Sequence, residues 1–594
     1  MGDAEKGANA YGRLGSWAAL VGAAVSIPVL FVGFSNDDLV HRLALDGQVA
    51  GFEPGWLGLY DFTPPSLPTS KMIERGMLPW FTNPELSLRF FRPISSLLLA
   101  LDHFLFGRWA LAAHLHSMLW MAALALLAAK LYARWLTPRA ARAAAFVFAL
   151  SGVHAVPTAW LASRHTLVSA TLAVAALLAW ARFREDGWRF GRALSPALLA
   201  SSLLASESGL VGGALLVAYE LGTRGIRRGA FGALPHAAVC GVYLGVYAAL
   251  GYGARGSSFY VSPFDAPLRY LGAALVGVPT LSVELLLGLP SAVANFVPGA
   301  SSVFVALGVG ALLGFTTLLY TLREELPAAP RKNVYWLGLG ALLGSPALVG
   351  AVVTGRVLPL PMFAAAAVIG STLDAIWNRI HGARLRGASP LSKAWFLPLS
   401  VILLTSFGIS PLLRVGTAFQ FRHFAEAQRQ LALEANLGTC KKSGFLYLLT
   451  AADPILALST APALRFHTEQ QAHAEAFRVL SMAPQLQRLH RTAPNAFELE
   501  VLGAPRQRNS FEELYRAPNN PLLPGYKVRT EELTVTAKAT DTGVFTRASF
   551  ELPRDLESMN VCFLIWFDGK LQLLDTPSTG QSVDVPYERG PMGM

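Results

Sequence analysis

Long stretches without a charged side chain recur along this chain and constrain its fold more than any other feature. Residues 14–34, 110–129 and 301–322 contain no Asp, Glu, Lys or Arg. An α-helix rises about 1.5 Å per residue, so each stretch is long enough to cross a hydrocarbon core of about 30 Å. Only 15% of the 594 residues are charged, whereas a soluble domain has about 25%. The sequence therefore predicts a polytopic α-helical membrane protein.

Basic loops set the predicted orientation. Residues 130–142 carry four basic side chains and no acidic one, and 182–192 and 224–228 are also rich in Arg. Because short loops rich in Lys and Arg stay on the cytoplasmic side, these loops and the N-terminus are placed inside. Much of the net charge of +11 lies in such loops, which argues against a nucleic-acid partner. About 11 transmembrane helices are predicted, with another inside loop at 378–393 and the C-terminal region outside.

A parity argument applies to residues 193–221, which lie between two inside loops. An even number of crossings must fit there, which predicts two short helices meeting at Ser206-Glu207-Ser208-Gly209 on the outer side. Helices this short are stable only inside a bundle or beside a water-filled cavity. Glu207 is therefore expected at the outer end of a recess.

Two domains are predicted. A transmembrane domain covers 1–413 and includes a large first external loop, 35–108, whose Trp and Pro content indicates short helices at the membrane interface. Residues 414–594 form an extracytoplasmic domain that begins with an amphipathic helix and continues as a β-rich, sandwich-like region. Three cysteines are too few for a disulfide framework, although Cys440 and Cys562 could pair.

An acidic pair, Asp37 and Asp38, follows the first predicted span and begins the external loop. Two adjacent carboxylates at the membrane surface are costly unless their charge is used. The structural alternative is that one of them caps a helix running on from Leu39. The functional alternative is that they act on a substrate at this face of the membrane.

Other ionisable side chains are predicted near the same outer face. A cavity there that holds carboxylates and arginines suits a substrate with an anionic lipid head group and a polar acceptor. Arginine binds phosphate through paired hydrogen bonds, and a carboxylate can remove the proton from an attacking hydroxyl. The candidates are Asp37, Asp38, Arg92, Asp102, His114, His154, Arg164, Glu207 and Arg356.

Each candidate also has a structural explanation. Arg92 can extend its head group to the interface while its stem stays apolar. Arg164 can anchor a helix end, and Asp102 can pair with Arg108. A histidine on an apolar helix, such as His114, is more often a structural residue than a ligand.

Five short motifs occur in an order that resembles the GT-C superfamily of polyprenyl-phosphate-sugar-dependent glycosyltransferases. The likeness covers residues 14–413 and is closer to the branch of transmembrane O-mannosyltransferases that carry tetratricopeptide repeats, although such repeats are absent here. Val156 and Thr166 stand where that family has Glu and Asp, and Ser206 stands where it has Lys. The motifs are Asp37-Asp38, Arg92-Pro93-Ile94 followed by His114, the segment from His154 to Arg164, Ser206-Glu207-Ser208-Gly209, and Arg356-Val357-Leu358-Pro359-Leu360-Pro361.

The resemblance implies an inverting transfer of a sugar from a polyprenyl-phosphate donor to a hydroxyl outside the cytoplasmic (inner) membrane. Asp38, or its neighbour Asp37, would act as the general base, and arginines would stabilise the departing lipid phosphate. The implied partners are the donor, membrane lipids and a protein, lipid or glycan acceptor. No metal ligands are predicted, and the departures leave a role for a divalent metal open. The implied substrate-binding residues are Arg92, His114, His154, Arg164, Glu207 and Arg356.

Three other functions fit parts of the sequence. A transporter or lipid flippase predicts inverted repeats and charges near the membrane midplane. An O-antigen-ligase-type enzyme would use a diphosphate-linked donor and have a large external loop late in the chain. A non-catalytic scaffold would use the β region to bind partners in the cell envelope.

Overall fold

A computed structural model gives the architecture of most of the chain. The predicted inside loop at 378–393 falls partly outside the described residues. The structure describes residues 3–49, 51–297, 299–385, 394–441, 444–468, 476–506 and 509–592.

Helices dominate the first 433 residues, because their sequences are long apolar runs; Pro196, Pro235 and Pro279 lie inside three of these helices. Among the described residues of this part, two very short strands and six short 3₁₀ segments connect the helices. The helices, including two from the C-terminal domain, are α1 (Asp3–Val25), α2 (Asp37–Leu45), α3 (Thr69–Glu74), α4 (Pro93–Phe106), α5 (Ala110–Trp135), α6 (Pro138–Leu150), α7 (Ala155–Ala159), α8 (His165–Glu185), α9 (Gly191–Ala205), α10 (Gly209–Arg224), α11 (Ile226–Ala249), α12 (Pro267–Leu287), α13 (Val293–Phe296), α14 (Ala300–Thr321), α15 (Ala328–Gly344), α16 (Pro359–Leu385), α17 (Phe396–Leu403), α18 (Ser410–Leu433), α19 (Pro454–His467) and α20 (Ser510–Tyr515).

Membrane-crossing length is reached by eight helical segments in the described residues, or nine if the pair α6 and α7, bent by 41°, is one span. The predicted polytopic helical architecture is confirmed. The count is below the predicted 11, because α9, α10 and α15 have only 15, 16 and 17 residues. The number of crossings and their orientation stay predictions.

The two short helices expected from the parity argument are α9 and α10, and they meet at residues 206–208. They pack within the bundle against α8, α11 and α15. Polar contacts hold the turn in place, since the Ser202 hydroxyl donates to the carbonyl of Ser169 at 2.8 Å. The bundle thus supplies the support that such short helices need.

The C-terminal domain contains two sheets and two helices. A six-stranded antiparallel sheet has the order β12-β5-β6-β9-β8-β7, and a four-stranded sheet has the order β11-β10-β3-β4, with β10, β3 and β4 parallel. The α19 helix makes the crossover between β3 and β4. The strands, including one antiparallel pair, β1 and β2, from the membrane domain, are β1 (Ser87–Arg89), β2 (Gly253–Arg255), β3 (Phe445–Thr450), β4 (Ala476–Val479), β5 (Gln487–Ala493), β6 (Ala496–Val501), β7 (Lys527–Arg529), β8 (Thr534–Asp541), β9 (Val544–Glu551), β10 (Val561–Phe567), β11 (Lys570–Leu574) and β12 (Ser582–Val585).

The predicted boundary between 413 and 414 lies inside α18, which runs without a break from the bundle towards the C-terminal domain. The last span and the predicted amphipathic helix are therefore one structure. Cys440, just beyond α18, forms a disulfide with Cys562 on β10, so the pairing left open by the sequence is present. Cys240 is a free thiol.

The first external loop is built into the C-terminal domain. The Trp80 indole donates to the carbonyl of Leu480 at 2.9 Å, and its ring packs against Phe545 and Phe550 with centroid distances of 5.2 and 6.0 Å. Burial of an indole ring with its N–H satisfied is strongly stabilising. The loop thus joins the two domains at the end of the bundle that is predicted to face outward.

Candidate functional site

The acidic pair lies in the first turn of α2, and its two members have different surroundings. Asp38 is 3% exposed, and its carboxylate accepts hydrogen bonds from the backbone N–H groups of Ala162 (2.8 Å) and Ser35 (3.2 Å). Asp37 is only partly buried, and its carboxylate accepts no hydrogen bond from the part of the chain that the structure describes. Asp38 therefore fixes the first turn of α2 to the backbone of Ala162 and Ser35, while the carboxylate of Asp37 is available to bind a ligand.

Burial raises the pKa values of both aspartates, and neighbouring charges and hydrogen bonds modify the increase. Burial raises the pKa of Asp37 to about 6, while the positive charges of Arg356 and Arg92 oppose this increase. Burial raises the pKa of Asp38 to about 7; the Ala162 and Ser35 amides oppose that increase, whereas the charge of Asp37 adds to it. A carboxylate whose pKa lies near neutrality can accept a proton effectively at the pH of the surroundings.

Arg92 stands immediately before α4 and bridges three parts of the bundle. Its guanidinium donates to Glu207 at 2.8 Å and contacts the Nε2 atom of His165 at 3.1 Å. The same group lies over the rings of Tyr60 and Phe90. The side chain is thus held rigidly and does not extend to the membrane interface as a snorkelling arginine would.

Glu207 occupies the turn between α9 and α10, as predicted. Besides Arg92, it accepts a hydrogen bond from the Tyr247 hydroxyl at 3.3 Å. The neighbouring Ser206 hydroxyl contacts His165 Nδ1 at 3.1 Å. The turn therefore orients Arg92 and the imidazole of His165 through direct contacts.

Arg356 lies in a 3₁₀ turn, Gly355–Val357, before α16. Its guanidinium carbon is 5.6 Å from the ring centroid of Trp160, and within the described residues it forms no hydrogen bond or ion pair. A Cβ at residue 355 would lie 1.9 Å from an oxygen of Glu284, so a larger residue there would displace the Glu284 carboxylate. Arg356 thus presents unpaired donors beside Asp37.

A cavity of about 130 Å³ adjoins Arg92 and Glu207 between α11, α12 and the turn after α9, and neither Asp37 nor Arg356 lines it. Its polar residues are concentrated where Arg92 and Glu207 meet, and most of its wall is apolar. Such a space suits a ligand with an anionic head and a hydrocarbon tail. The lining includes Phe90, Arg92, His165, Ser206, Glu207, Leu210, Tyr243, Leu244, Tyr247, Phe264, Tyr270, Leu348 and Val357.

Arg164 does not face this cavity. Its guanidinium donates to Asp102 at 2.5 Å, to the Ser117 hydroxyl at 2.8 Å and to the carbonyl of Ala113 at 2.7 Å. It is 2% exposed, so its guanidinium N–H groups donate to partners within the protein. Asp102 therefore pairs with Arg164, and the suggested pair with Arg108 is wrong.

The two candidate histidines are also enclosed. His114 is fully buried and donates from Nε2 to the carbonyl of Gly33 at 2.8 Å. His154 is fully buried and donates from Nε2 to the carbonyl of Phe148 at 3.0 Å. Neither lines the cavity, so the structure favours the structural explanation for both.

Several residues of the site carried no sequence signal. His165, Tyr60 and Tyr247 contact Arg92 or Glu207, but no motif marks them. Trp160, which contacts Arg356, lies within the motif from His154 to Arg164. In the described residues, no group of three or more His, Cys, Asp or Glu side chains is arranged to hold a metal ion.

Comparisons with known proteins gave structural neighbours only. No family model matches the sequence, and no curated protein matches it. The Archaeoglobus fulgidus oligosaccharyltransferase in the apo form aligns with TM-score 0.43 and 13% identity over 80% of this chain and 64% of that chain. The same archaeal enzyme, AglB, in complex with an inhibitory peptide and a dolichol-phosphate, aligns with TM-score 0.42 and 13% identity over 79% of this chain and 65% of that chain.

ArnT from Cupriavidus metallidurans bound to undecaprenyl phosphate aligns with TM-score 0.40 and 14% identity over 78% of this chain and 89% of that chain. The chain spans just under two thirds of the length of the archaeal structures. None of the three is an O-mannosyltransferase, and membership of that branch stays a prediction.

Proposed function

We propose that this protein is an integral-membrane inverting glycosyltransferase that moves a sugar from a polyprenyl-phosphate donor to an acceptor hydroxyl at the outer face of the membrane. The observation that carries the proposal is the position of Asp37. An open carboxylate with a pKa near 6 stands beside Arg356 and Arg92, and Arg92 in turn lies at the polar end of an apolar cavity. The resemblance of the five motifs to GT-C enzymes points to the same reaction.

Each group has a defined part in the proposed reaction. Asp37 takes the proton of the acceptor hydroxyl as the acceptor oxygen bonds to the anomeric carbon of the sugar. The bond between that carbon and the phosphate oxygen breaks, and the polyprenyl phosphate leaves with the bonding electrons. Attack from the face opposite the leaving group inverts the anomeric centre.

Arg356 is the better candidate to bind the departing phosphate. Its guanidinium forms no hydrogen bond or ion pair within the described residues, whereas the guanidinium of Arg92 already contacts Glu207 and His165. Two positive charges close to the leaving group stabilise the negative charge that develops on it. Asp38 instead fixes the first turn of α2 so that Asp37 points to the reacting atoms.

The test uses membranes containing the protein and a panel of labelled polyprenyl-phosphate sugars, mannose among them. Transfer of label from a monophosphate donor by the unmodified protein, and its loss in Asp37→Asn, is the expected result. Asp46→Asn is the matched control, since Asp46 ends the same helix and pairs with His103 at 3.1 Å. No transfer from any of the monophosphate donors would contradict the proposal, and flux of lipid-linked sugar in liposomes without transfer would favour a flippase.

A further inference from the structure

The wall of the cavity beside Arg92 includes two tyrosines from one face of α11. Tyr243 and Tyr247 are four residues apart on this helix, so their side chains are neighbours, and both line the cavity. Their ring centroids lie 5.7 Å apart. The Tyr243 ring also packs against Phe91, the residue before Arg92, with centroids 6.4 Å apart. Tyr243 is thus fixed beside the polar end of the cavity.

The hydroxyl of Tyr243 lacks a protein partner. Tyr243 is 6% exposed, and its buried hydroxyl forms no hydrogen bond within the described residues. One turn further along α11, the Tyr247 hydroxyl donates to Glu207 Oε1 at 3.3 Å. A polar group that is buried without a partner costs free energy, so such groups are rare in proteins. A ligand in the cavity would supply the partner that the Tyr243 hydroxyl lacks.

The charges in the cavity wall cancel each other. Among the described residues that line it, Arg92 and Glu207 alone represent Lys, Arg, Asp and Glu, and an ion pair of 2.8 Å joins them. His165 adds no charge: a guanidinium can only donate, so Nε2 of His165 must accept at its contact of 3.1 Å with Arg92. The cavity is therefore suited to the uncharged part of a ligand.

Glu207 has further capacity to accept hydrogen bonds. Its Oε2 atom accepts from Arg92, whereas Oε1 accepts from Tyr247 alone in the described residues. A carboxylate oxygen can accept two hydrogen bonds, and a phenol can both donate and accept. Glu207 and Tyr243 can therefore bind hydroxyl groups, while the surrounding aromatic rings can pack against C–H groups. A sugar ring presents both kinds of group.

The size and position of the cavity suit one sugar ring. At about 10–15 Å³ for each atom of the size of a water oxygen, a cavity of about 130 Å³ holds on the order of ten atoms, and a hexosyl group has roughly eleven non-hydrogen atoms. Val357, which directly follows Arg356, lines the cavity. A phosphate at Arg356 and a sugar in the cavity can therefore belong to one donor molecule.

We propose that this cavity binds the sugar of the donor, that the sugar is an uncharged hexose, and that Tyr243 is one of its hydrogen-bond partners. This inference rests on the proposed function and specifies the substrate class of the same site. The phosphate is bound outside the cavity at Arg356, and the sugar lies between Glu207 and the two tyrosines. Sugar choice thus depends on α11 and the turn after α9, whereas phosphate binding depends on the turn before α16.

The test measures, in detergent, the affinity for polyprenyl phosphate and for polyprenyl-phosphate mannose, glucose, galactose and glucuronate from the thermal shift that each produces. At least one of the three uncharged donors should bind more tightly than polyprenyl phosphate, and the anionic glucuronate donor should not. Tyr243→Phe loses one hydrogen bond to the sugar and should bind that uncharged donor about tenfold more weakly. Its affinity for polyprenyl phosphate should stay unchanged, and its Tm without ligand should not fall.

Tyr447→Phe is the matched control. Tyr447 is fully buried, its hydroxyl has no partner in the described residues, and it does not line the cavity, so every affinity should stay at the level of the unmodified protein. Equal weakening of polyprenyl phosphate and of the uncharged donor in Tyr243→Phe would show a structural or phosphate-binding role and overturn the inference. Uncharged donors that bind no more tightly than polyprenyl phosphate or the glucuronate donor would also overturn it.

Transfer assays on the same membranes separate this inference from the proposed function. Normal donor affinity in Tyr243→Phe, with Asp37→Asn inactive, would overturn the inference and leave the proposed function intact. A preference for an uncharged sugar that Tyr243→Phe removes, without transfer from any donor, would support the sugar site and overturn the proposed function.

Discussion

Replacing Asp37 by Asn should remove activity and stabilise the protein at the same time. General bases contribute about 10²- to 10⁴-fold to rate, so transfer should fall by that factor. The effect on stability follows from the pKa of Asp37, which rises from 3.8 to about 6 on folding because the carboxyl is buried. A difference of this size corresponds to about 3 kcal/mol.

The sign of the stability effect follows from proton binding. Between about pH 4 and pH 6 the folded protein holds a proton on Asp37 that the unfolded chain releases, so this group stabilises the fold only at low pH. The stabilising effect is lost as pH rises through 6, and at pH 7.5 the buried charge opposes folding. Asn has nearly the same shape without the charge, so the Asp37→Asn variant should be more stable at pH 7.5 and equal near pH 4.

The assay is thermal unfolding in detergent at the two pH values, together with transfer from labelled donor in membranes. Asp46→Asn should change neither transfer nor the pH dependence of unfolding. An Asp37→Asn variant that is inactive and also less stable than the unmodified protein at pH 7.5 would refute the reasoning, because the loss of activity would then come from unfolding.

Three further changes test the surrounding groups. Arg356→Ala should raise the KM for the donor and move the rising limb of the pH–rate profile above pH 6, since the guanidinium lowers the pKa of Asp37; an unshifted limb would contradict this. Arg164→Ala should lower the free energy of unfolding by about 3 kcal/mol, because buried Asp102 loses Arg164 but keeps its hydrogen bond with His116, yet leave the KM for the donor unchanged in the folded fraction; a raised KM would contradict a purely structural role. Cys440→Ser should lower stability by about 4–5 kcal/mol by the chain-entropy estimate for a loop of 122 residues, and reductant should destabilise the unmodified protein but not this variant.

The position of Glu207 was predictable because it depends on chain direction alone. Basic loops on both sides predict two crossings within residues 193–221, with the turn between them at the predicted outer face. The ion pair with Arg92 was not predictable, since 115 residues separate the two. Charge placement along the sequence gives the height of a residue in the membrane but not its neighbours at that height.

Arg164, His114 and His154 illustrate the same limit. Their height and residue types are suitable for binding a phosphate or a hydroxyl. Their hydrogen bonds go instead to Asp102 and to the backbone carbonyls of Gly33 and Phe148. A backbone carbonyl has no signature in the sequence, so the difference between a binding residue and a structural one depends on packing.

No local sequence pattern predicted the contacts between the first external loop and the C-terminal domain. Trp80 and its hydrogen-bond partner Leu480 are 400 residues apart, and the same loop contacts α20, since the Asn83 N–H donates to the carbonyl of Tyr515. The sequence indicated that this loop contains interfacial helices. It did not indicate that Trp80 and Phe81 pack against the sheets of the C-terminal domain.

Neither aspartate caps a helix running on from Leu39, because α2 begins at Asp37 and its N-cap residue is Asn36; the two members of the pair instead have different surroundings. Successive residues of a helix are rotated by about 100°, so the carboxylates of Asp37 and Asp38 cannot occupy the same environment. Asp38 accepts hydrogen bonds from the backbone of Ser35 and Ala162, and it fixes the first turn of α2 to the segment before α8. Asp37 is then held in the open position beside Arg356. Moving the doublet by one residue would leave a carboxylate at only one of these two positions, so either the side chain that fixes α2 or the proposed base would be lost.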